Sequence, residues 1–208
     1  MDLYSYVVAY DSGFAPNPFH GFCTLATCKP RIRSSAKVGD WVIGCGSADR
    51  TKKQGGLLVH AMCISEIMTF DEYNNDSRFQ VKKPNLYGSR KQVRGDNIYQ
   101  TVNGEWIQKN SYHSKSNGDA NPDHINRDTA VDRVLISDNF RYFGKGGPAI
   151  PNYLGKDNRS LCHRGRNHSK FLNSNANDKV LINNFRDWFN TLGDIGFRGH
   201  PFDWSDNQ

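Results

Sequence analysis

The chain has 208 residues, 37% of them hydrophobic, and a formal net charge of +6; that is enough to bury one good core, most simply as a single domain, 1–208. No apolar run approaches the ~18 residues that a helical membrane span requires, so no membrane partner is expected, and the acidic, then strand-like start has no signal-peptide pattern. Five cysteines at irregular spacing without CxxC argue against a disulfide framework or a zinc ribbon and for a reducing, cytoplasmic setting; nothing calls for a metal or a cofactor.

Residues 4–29 come first and organise the rest. Tyr4, Tyr6 and Val8 alternate with Ser5, Val7 and Ala9, a period-2 run that predicts an early strand. Asp11-Ser12-Gly13 supplies turn chemistry, and Pro16 and Pro18 stiffen the loop that follows. This loop, with Phe14, Asn17, Phe19 and His20, is built like a ligand wall or, equally, like a long turn whose aromatics roof the core. Residues 21–26 are a second short apolar run, flanked by the packed or half-buried thiols Cys23 and Cys28.

Trp41-Val42-Ile43 follows the turn at Val38-Gly39-Asp40 and reads as a strand ending at Gly44. The small residues after it are a weak phosphate-loop signal without a Walker lysine. The apolar run 57–67 predicts one central strand covered on both faces, with His60 as a core histidine. Thr69 or Asp71 is expected to cap a short helix. Residues 82–128 are polar and long, with brief strands at 97–99 and 105–107, and read as an ordered insertion lying over the sheet. Residues 131–136 are a further strand, and 140–148 end in a glycine turn. The clearest element is an amphipathic helix over 179–192, where Leu181, Ile182, Phe185, Trp188, Phe189 and Leu192 recur at helical spacing, with Asp178 as its expected N-cap and Gly193 as its C-terminal stop.

Positive charge gathers in three segments. Residues 29–53 hold seven Lys/Arg against two Asp, 82–94 five against none, and 156–170 five against one. Brought together by folding, they suit an anionic partner such as a nucleic acid or nucleotide; apart, they are solvated surface.

Taken together, YDSGFAPNPFHGFCTLATCKP, KVGDWVIGCGS, GGLLVHAM, RGDNIY and DRVLISDNFRYFG resemble the second type of nucleotide-modification-associated domain over most of the chain. That is a bacterial and phage family placed near machinery for hypermodified bases. KVGDWVIGCGS followed by GGLLVHAM is also similar, over a shorter stretch, to EVE, ASCH and PUA-type domains, small barrels that bind RNA or flipped bases. The resemblance implies a mainly β (α+β) fold with a PUA/EVE-like, partly open barrel. It carries no catalytic set and so implies a context rather than a reaction.

Three functional readings follow. A reader of a nucleotide or modified base needs stacking rings, polar groups for the base edge and cations for phosphate. Phe14, Phe19, Trp41 and Tyr99 serve the first need; Asp11, Asn17, His20, Asp96 and Asn97 the second; Lys29, Arg31, Arg33, Lys52, Lys53, Arg164 and Arg166 the third. The pocket would lie between the 11–20 loop and the segment at Asp96-Asn97. The second reading is an enzyme of base or nucleotide modification. His20, His113, His124, Asp128, His163 and His168 supply groups for acid–base work or a metal site, though at no specific metal spacing, and His124 and Asp128 stand four apart, although Pro122 argues against a regular helix there. Cys162-His163 holds a thiol beside an imidazole, but adjacency in sequence does not place one on the other. Third is a protein-interaction module of a modification or defence system, its basic segments meeting an acidic partner encoded nearby.

Overall fold

The computed structural model describes residues 1–48, 53–156, 159–163 and 165–204. In chain order the strands are β1 (Leu3–Val8), β2 (Cys23–Leu25), β3 (Trp41–Gly46), β4 (Leu58–Cys63), β5 (Glu66–Met68), β6 (Tyr99–Val102) and β7 (Glu105–Gln108). Then come β8 (Val134–Ser137), β9 (Asn139–Tyr142), β10 (Gly155–Lys156), β11 (Arg159–Ser160), β12 (His168–Phe171) and β13 (Gly196–Phe197). The α-helices are α1 (Pro30–Ser35), α2 (Phe70–Asn75), α3 (Arg90–Val93), α4 (Pro122–Thr129) and α5 (Ala176–Asn190). The fold is α+β. It divides into two compact units, Met1–Asp11 with Ala36–Ser65 and Asp138–Gln208, and Ser12–Ser35 with Glu66–Ser137.

The first unit is a six-stranded sheet in the order β12-β1-β3-β4-β9-β13. β1 pairs with β3, and β9 with β13, in parallel; the other neighbours are antiparallel. The sheet is open, ending at β12 and β13, and no closed barrel forms among the described residues. The period of two expected for β1 sets its packing. Leu3 joins Trp41, Ile43, Cys45 and Phe171 in the core under α5, whose Leu181, Ile182, Phe185 and Phe189 reach the same cluster. Trp41 meets Phe185 and Phe189 edge-on at 5.3 and 4.6 Å between ring centroids. On the other face the Tyr6 hydroxyl bonds His60 Nε2 at 2.9 Å. Gly44 is opposite His60 in the ladder, and a Cβ there would lie 2.4 Å from the imidazole, so only glycine leaves room for the ring.

The second unit has its own antiparallel sheet, β2-β8-β5, over a core that includes Phe14, Phe70, Tyr73, Phe79, Tyr99 and Ile136. Thr69 caps α2 in a reciprocal capping box with Glu72, which satisfies two backbone donors of the first turn. β6 and β7 form a hairpin across Asn103-Gly104, both at positive φ, the two-residue turn that this dipeptide favours.

Three expectations change. The run 57–67 is not one strand: β4 ends at Cys63, Ile64 N donates to the Asp40 carbonyl, and the chain enters β5 in the other sheet. Pro122 does not prevent a helix but begins one, at a first-turn position where its missing N–H costs nothing. Helix α5 is capped by Asn175, and the carboxylate of Asp178 instead accepts Leu172 N at 2.9 Å. No helix among the described residues is long and apolar enough to cross a membrane.

Candidate active site

The second unit brings a thiol, an imidazole and a carboxylate into one line. Strand β2 and Ala26-Thr27 lead to Cys28, where the backbone turns sharply before α1; Cys28 and Lys29 have φ of 59° and 42°. Non-glycine residues in this region cost on the order of 1–3 kcal/mol each and persist where the surroundings fix them. Here the surroundings do so from both sides: Cys28 N donates to Asp128 Oδ1 at 2.9 Å, and Arg33 Nε donates to the Cys28 carbonyl at 2.9 Å. The Cys28 Sγ lies 3.8 Å from His113 Nε2, and His113 Nδ1 lies 2.8 Å from Asp128 Oδ2.

A carboxylate acceptor places the imidazole hydrogen on Nδ1. Nε2 is then free to take the thiol proton. His113 and Asp128 are buried, whereas Cys28 is half-buried. Burial would raise the Asp128 carboxyl, but hydrogen bonds from His113 and Arg127 outweigh it and hold the group well below the usual carboxylate range. Burial likewise opposes a charged His113, but Asp128 and the Cys28 thiol outweigh it and push the imidazole up. Tyr99 OH donates to Asp128 Oδ2 at 3.0 Å, and Gln108 Nε2 to Tyr99 OH at 3.1 Å. The His113 ring lies 4.6 Å from Phe14 and 4.4 Å from His124. Helix α4 carries His124 and Asp128 on one face, and His124 Nδ1 meets the His113 carbonyl at 2.9 Å.

A second polar cluster in this unit is buried and internally paired. Lys82 Nζ donates to Asn17 Oδ1 at 2.7 Å, to the Phe22 carbonyl at 3.0 Å and to Thr24 Oγ1 at 3.2 Å. Asp96 accepts from Thr24 Oγ1 at 2.6 Å and Tyr73 OH at 2.8 Å. Burial pushes the Lys82 ammonium down to about 8 and raises the Asp96 carboxyl. Asn97 Nδ2 donates to the Tyr73 and Phe79 carbonyls at 3.0 and 3.1 Å.

Against this geometry the expected ligand residues separate. Phe14 and Tyr99 stand at the Cys28–His113–Asp128 line. Asn17 and Asp96 come together through Thr24 and Lys82, with Asn97 beside them. Asp11 and Trp41 belong to the first unit, where Asp11 accepts from Tyr142 OH and from Phe202 N at 2.9 Å, anchoring the tail, and Trp41 is core. Phe19 is buried, and His20 is exposed at φ 61°. Of the expected phosphate ligands, Lys29 is half-buried next to Cys28, and Arg31, Lys53 and Arg166 are exposed. Arg33 is buried, its guanidinium donating to the carbonyls of Cys28, Val131, Arg133 and Asp128. Lys52 and Arg164 lie outside the described residues.

Cys28, Lys82 and Thr24 were not among the sequence candidates. The available signal for Cys28 was local: a short apolar strand, β2, followed three residues after its end by a cysteine that stands two residues before a proline-initiated helix. The alternative thiol pairing, Cys162 with His163, does not take that form: His163 Nδ1 meets Ser169 Oγ at 3.0 Å. No group of three or more His, Cys, Asp or Glu among the described residues is arranged to hold a metal ion.

No curated protein and no solved structure matches the chain. The family model described as nucleotide modification associated domain 2 matches residues 1–208, its whole length. With the strand-to-helix turn at Cys28 inside that match, the chain belongs to the nucleotide modification associated domain 2 family.

Proposed function

We propose that this protein is an enzyme of nucleotide or nucleobase modification that uses Cys28 as nucleophile, His113 as general base and acid, and Asp128 to orient the imidazole. The observation that carries the reading is the continuous thiol–imidazole–carboxylate contact, 3.8 Å and then 2.8 Å. The family name supports the substrate context. In the first step His113 Nε2 takes the Cys28 proton as the Sγ–C bond forms at an electrophilic sp² carbon. The bond from that carbon to its nitrogen or oxygen leaving group breaks, and His113 returns the proton to the departing group. Water or an amine, deprotonated by the now neutral His113, then displaces the sulfur and restores the thiol.

Simple base reading is the weaker alternative. Asn17 and Asp96, which would have read the base edge, are buried with protein partners. The deciding experiment follows the alkylation rate of each thiol by iodoacetamide with peptide mass spectrometry. Cys28 should react faster than Cys63 and Cys162, which are also half-buried. His113→Asn should slow it by about 100-fold, the lower end of a general-base contribution. Equal rates at all three thiols, or no response to His113→Asn, would remove the proposal.

A further inference from the structure

Arg94 stands out among the arginines of the second unit. Arg33 is satisfied by carbonyls, Arg78 pairs with Glu66 and Asp76, and Arg127 pairs with Asp128. Arg94, partly buried at the end of α3, has no carboxylate partner and no side-chain hydrogen bond among the described residues, and its Nε is fully enclosed. The guanidinium instead lies over Tyr112, 4.3 Å from the ring centroid. Tyr112 packs on Phe14 at 5.5 Å, and Phe14 on the His113 ring at 4.6 Å. An aromatic row therefore runs from Arg94 to the imidazole of the candidate active site.

The backbone of Arg94 is fixed by the loop that carries Phe14. Asn17 Nδ2 donates to the Arg94 carbonyl at 2.7 Å and to Gly13 O at 3.3 Å, while Lys82 holds the Asn17 carboxamide oxygen. Enclosing the Nε–H without an acceptor is costly, and the planar fork of donors that a guanidinium carries fits a phosphate in bidentate fashion. Tyr112 remains 46% exposed, so its ring is available for stacking with a second planar group. Lys91, one turn earlier on α3, adds positive charge above Phe19.

We infer that Arg94 holds the phosphate of the substrate while Tyr112 presents a stacking face, so that the site takes phosphorylated nucleotides, free or within a strand, in preference to nucleosides and free bases. This rests on the reading of Cys28, His113 and Asp128 as the reacting groups.

The test is protection of Cys28 from iodoacetamide. The probes are the four deoxynucleoside 5′-monophosphates, the four deoxynucleosides and a short single-stranded oligodeoxynucleotide. The expected result is half-protection by at least one phosphorylated probe at a concentration at least tenfold below that of its nucleoside. Protection by monophosphates assigns free nucleotide, and protection by the oligonucleotide alone assigns a strand. Arg94→Gln should bring the nucleoside-to-nucleotide ratio to about one, and Arg94→Lys should leave it between the two. Each ratio is read within a single protein, so a change in thiol reactivity cancels. Equal protection by nucleoside and nucleotide, a ratio unmoved by Arg94→Gln, or no protection by any probe overturns the assignment. If Cys28 alkylation still depends on His113 in that event, the active-site reading stands and only the phosphate site fails.

Discussion

Asp128 holds Cys28 by its backbone, accepting the Cys28 N–H at 2.9 Å through Oδ1, while its other oxygen accepts from His113. One carboxylate thus sets both the main chain of the nucleophile and the orientation of the base. Removing it should loosen both at once. Asp128→Ala is expected to destabilise the protein by about 3–5 kcal/mol, the usual loss when one member of a buried charged network is deleted, read as a lower urea midpoint. A loss below about 1 kcal/mol would show that the network is not built as described.

The same pair predicts a pH dependence. A carboxyl depressed in the fold, as Asp128 is, contributes stability that is present above its unfolded value of about 3.9 and is lost as pH falls through the folded one. An imidazole raised in the fold, as His113 is, contributes stability that is complete below about 6.5 and is lost as pH rises through its folded value. The contribution is therefore greatest between about pH 4 and 6.5. Urea midpoints at pH 6 and pH 9 should fall more for wild type than for His113→Gln; parallel profiles would contradict this.

Lys82 carries the opposite sign. Burial lowers its ammonium to about 8 in the fold, below the unfolded value of about 10.4, so the cost of enclosing the charge is present below pH 8 and is relieved between pH 8 and 10.4. Lys82→Met removes the donor that Asn17 Oδ1, the Phe22 carbonyl and Thr24 Oγ1 share, a loss of about 1–3 kcal/mol at pH 7. Raising the pH from 7 to 9.5 should then stabilise wild type relative to Lys82→Met. A constant difference between the two proteins would rule out a titrating Lys82.

Gly44 tests the first unit. An added Cβ would sit 2.4 Å from the His60 ring and 2.6 Å from Val8 Cγ2, with His60 enclosed and bonded to Tyr6. Gly44→Ala should cost about 1–3 kcal/mol through overpacking, seen as a lower midpoint in thermal unfolding. An unchanged midpoint would mean that the strand gives way without strain.

Local rules reached much of the fold. Alternation at Tyr4, Tyr6 and Val8 predicted β1, the spacing from Leu181 to Phe189 predicted the body of α5, and Thr69 was among the expected caps. Each signal lies within a few residues, where backbone period and hydrogen-bond chemistry act directly. The run 57–67 misled because composition does not record that the chain turns at Ile64-Ser65 to serve two sheets. The functional grouping was less legible. Phe14, Tyr99, His113 and Asp128 were each picked for residue type, yet their meeting with Cys28 depends on tertiary contact across long sequence separations. Asn17 and Asp96 suited a base edge by chemistry, whereas folding turned them toward Lys82, Thr24 and Tyr73.

The second unit is assembled from two stretches of chain, and the candidate nucleophile is on the first while its partners are on the second. His113 lies 85 residues after Cys28, and Asp128 lies 100 residues after it. At synthesis rates of about 5–20 residues per second, on the order of 5–20 s separates the emergence of the thiol from that of the carboxylate. Until residue 113 emerges, Cys28 has neither its base nor the acceptor that fixes its backbone. Its reactivity is thus acquired late in synthesis, and a chain interrupted before residue 113 carries the thiol without the means to activate it.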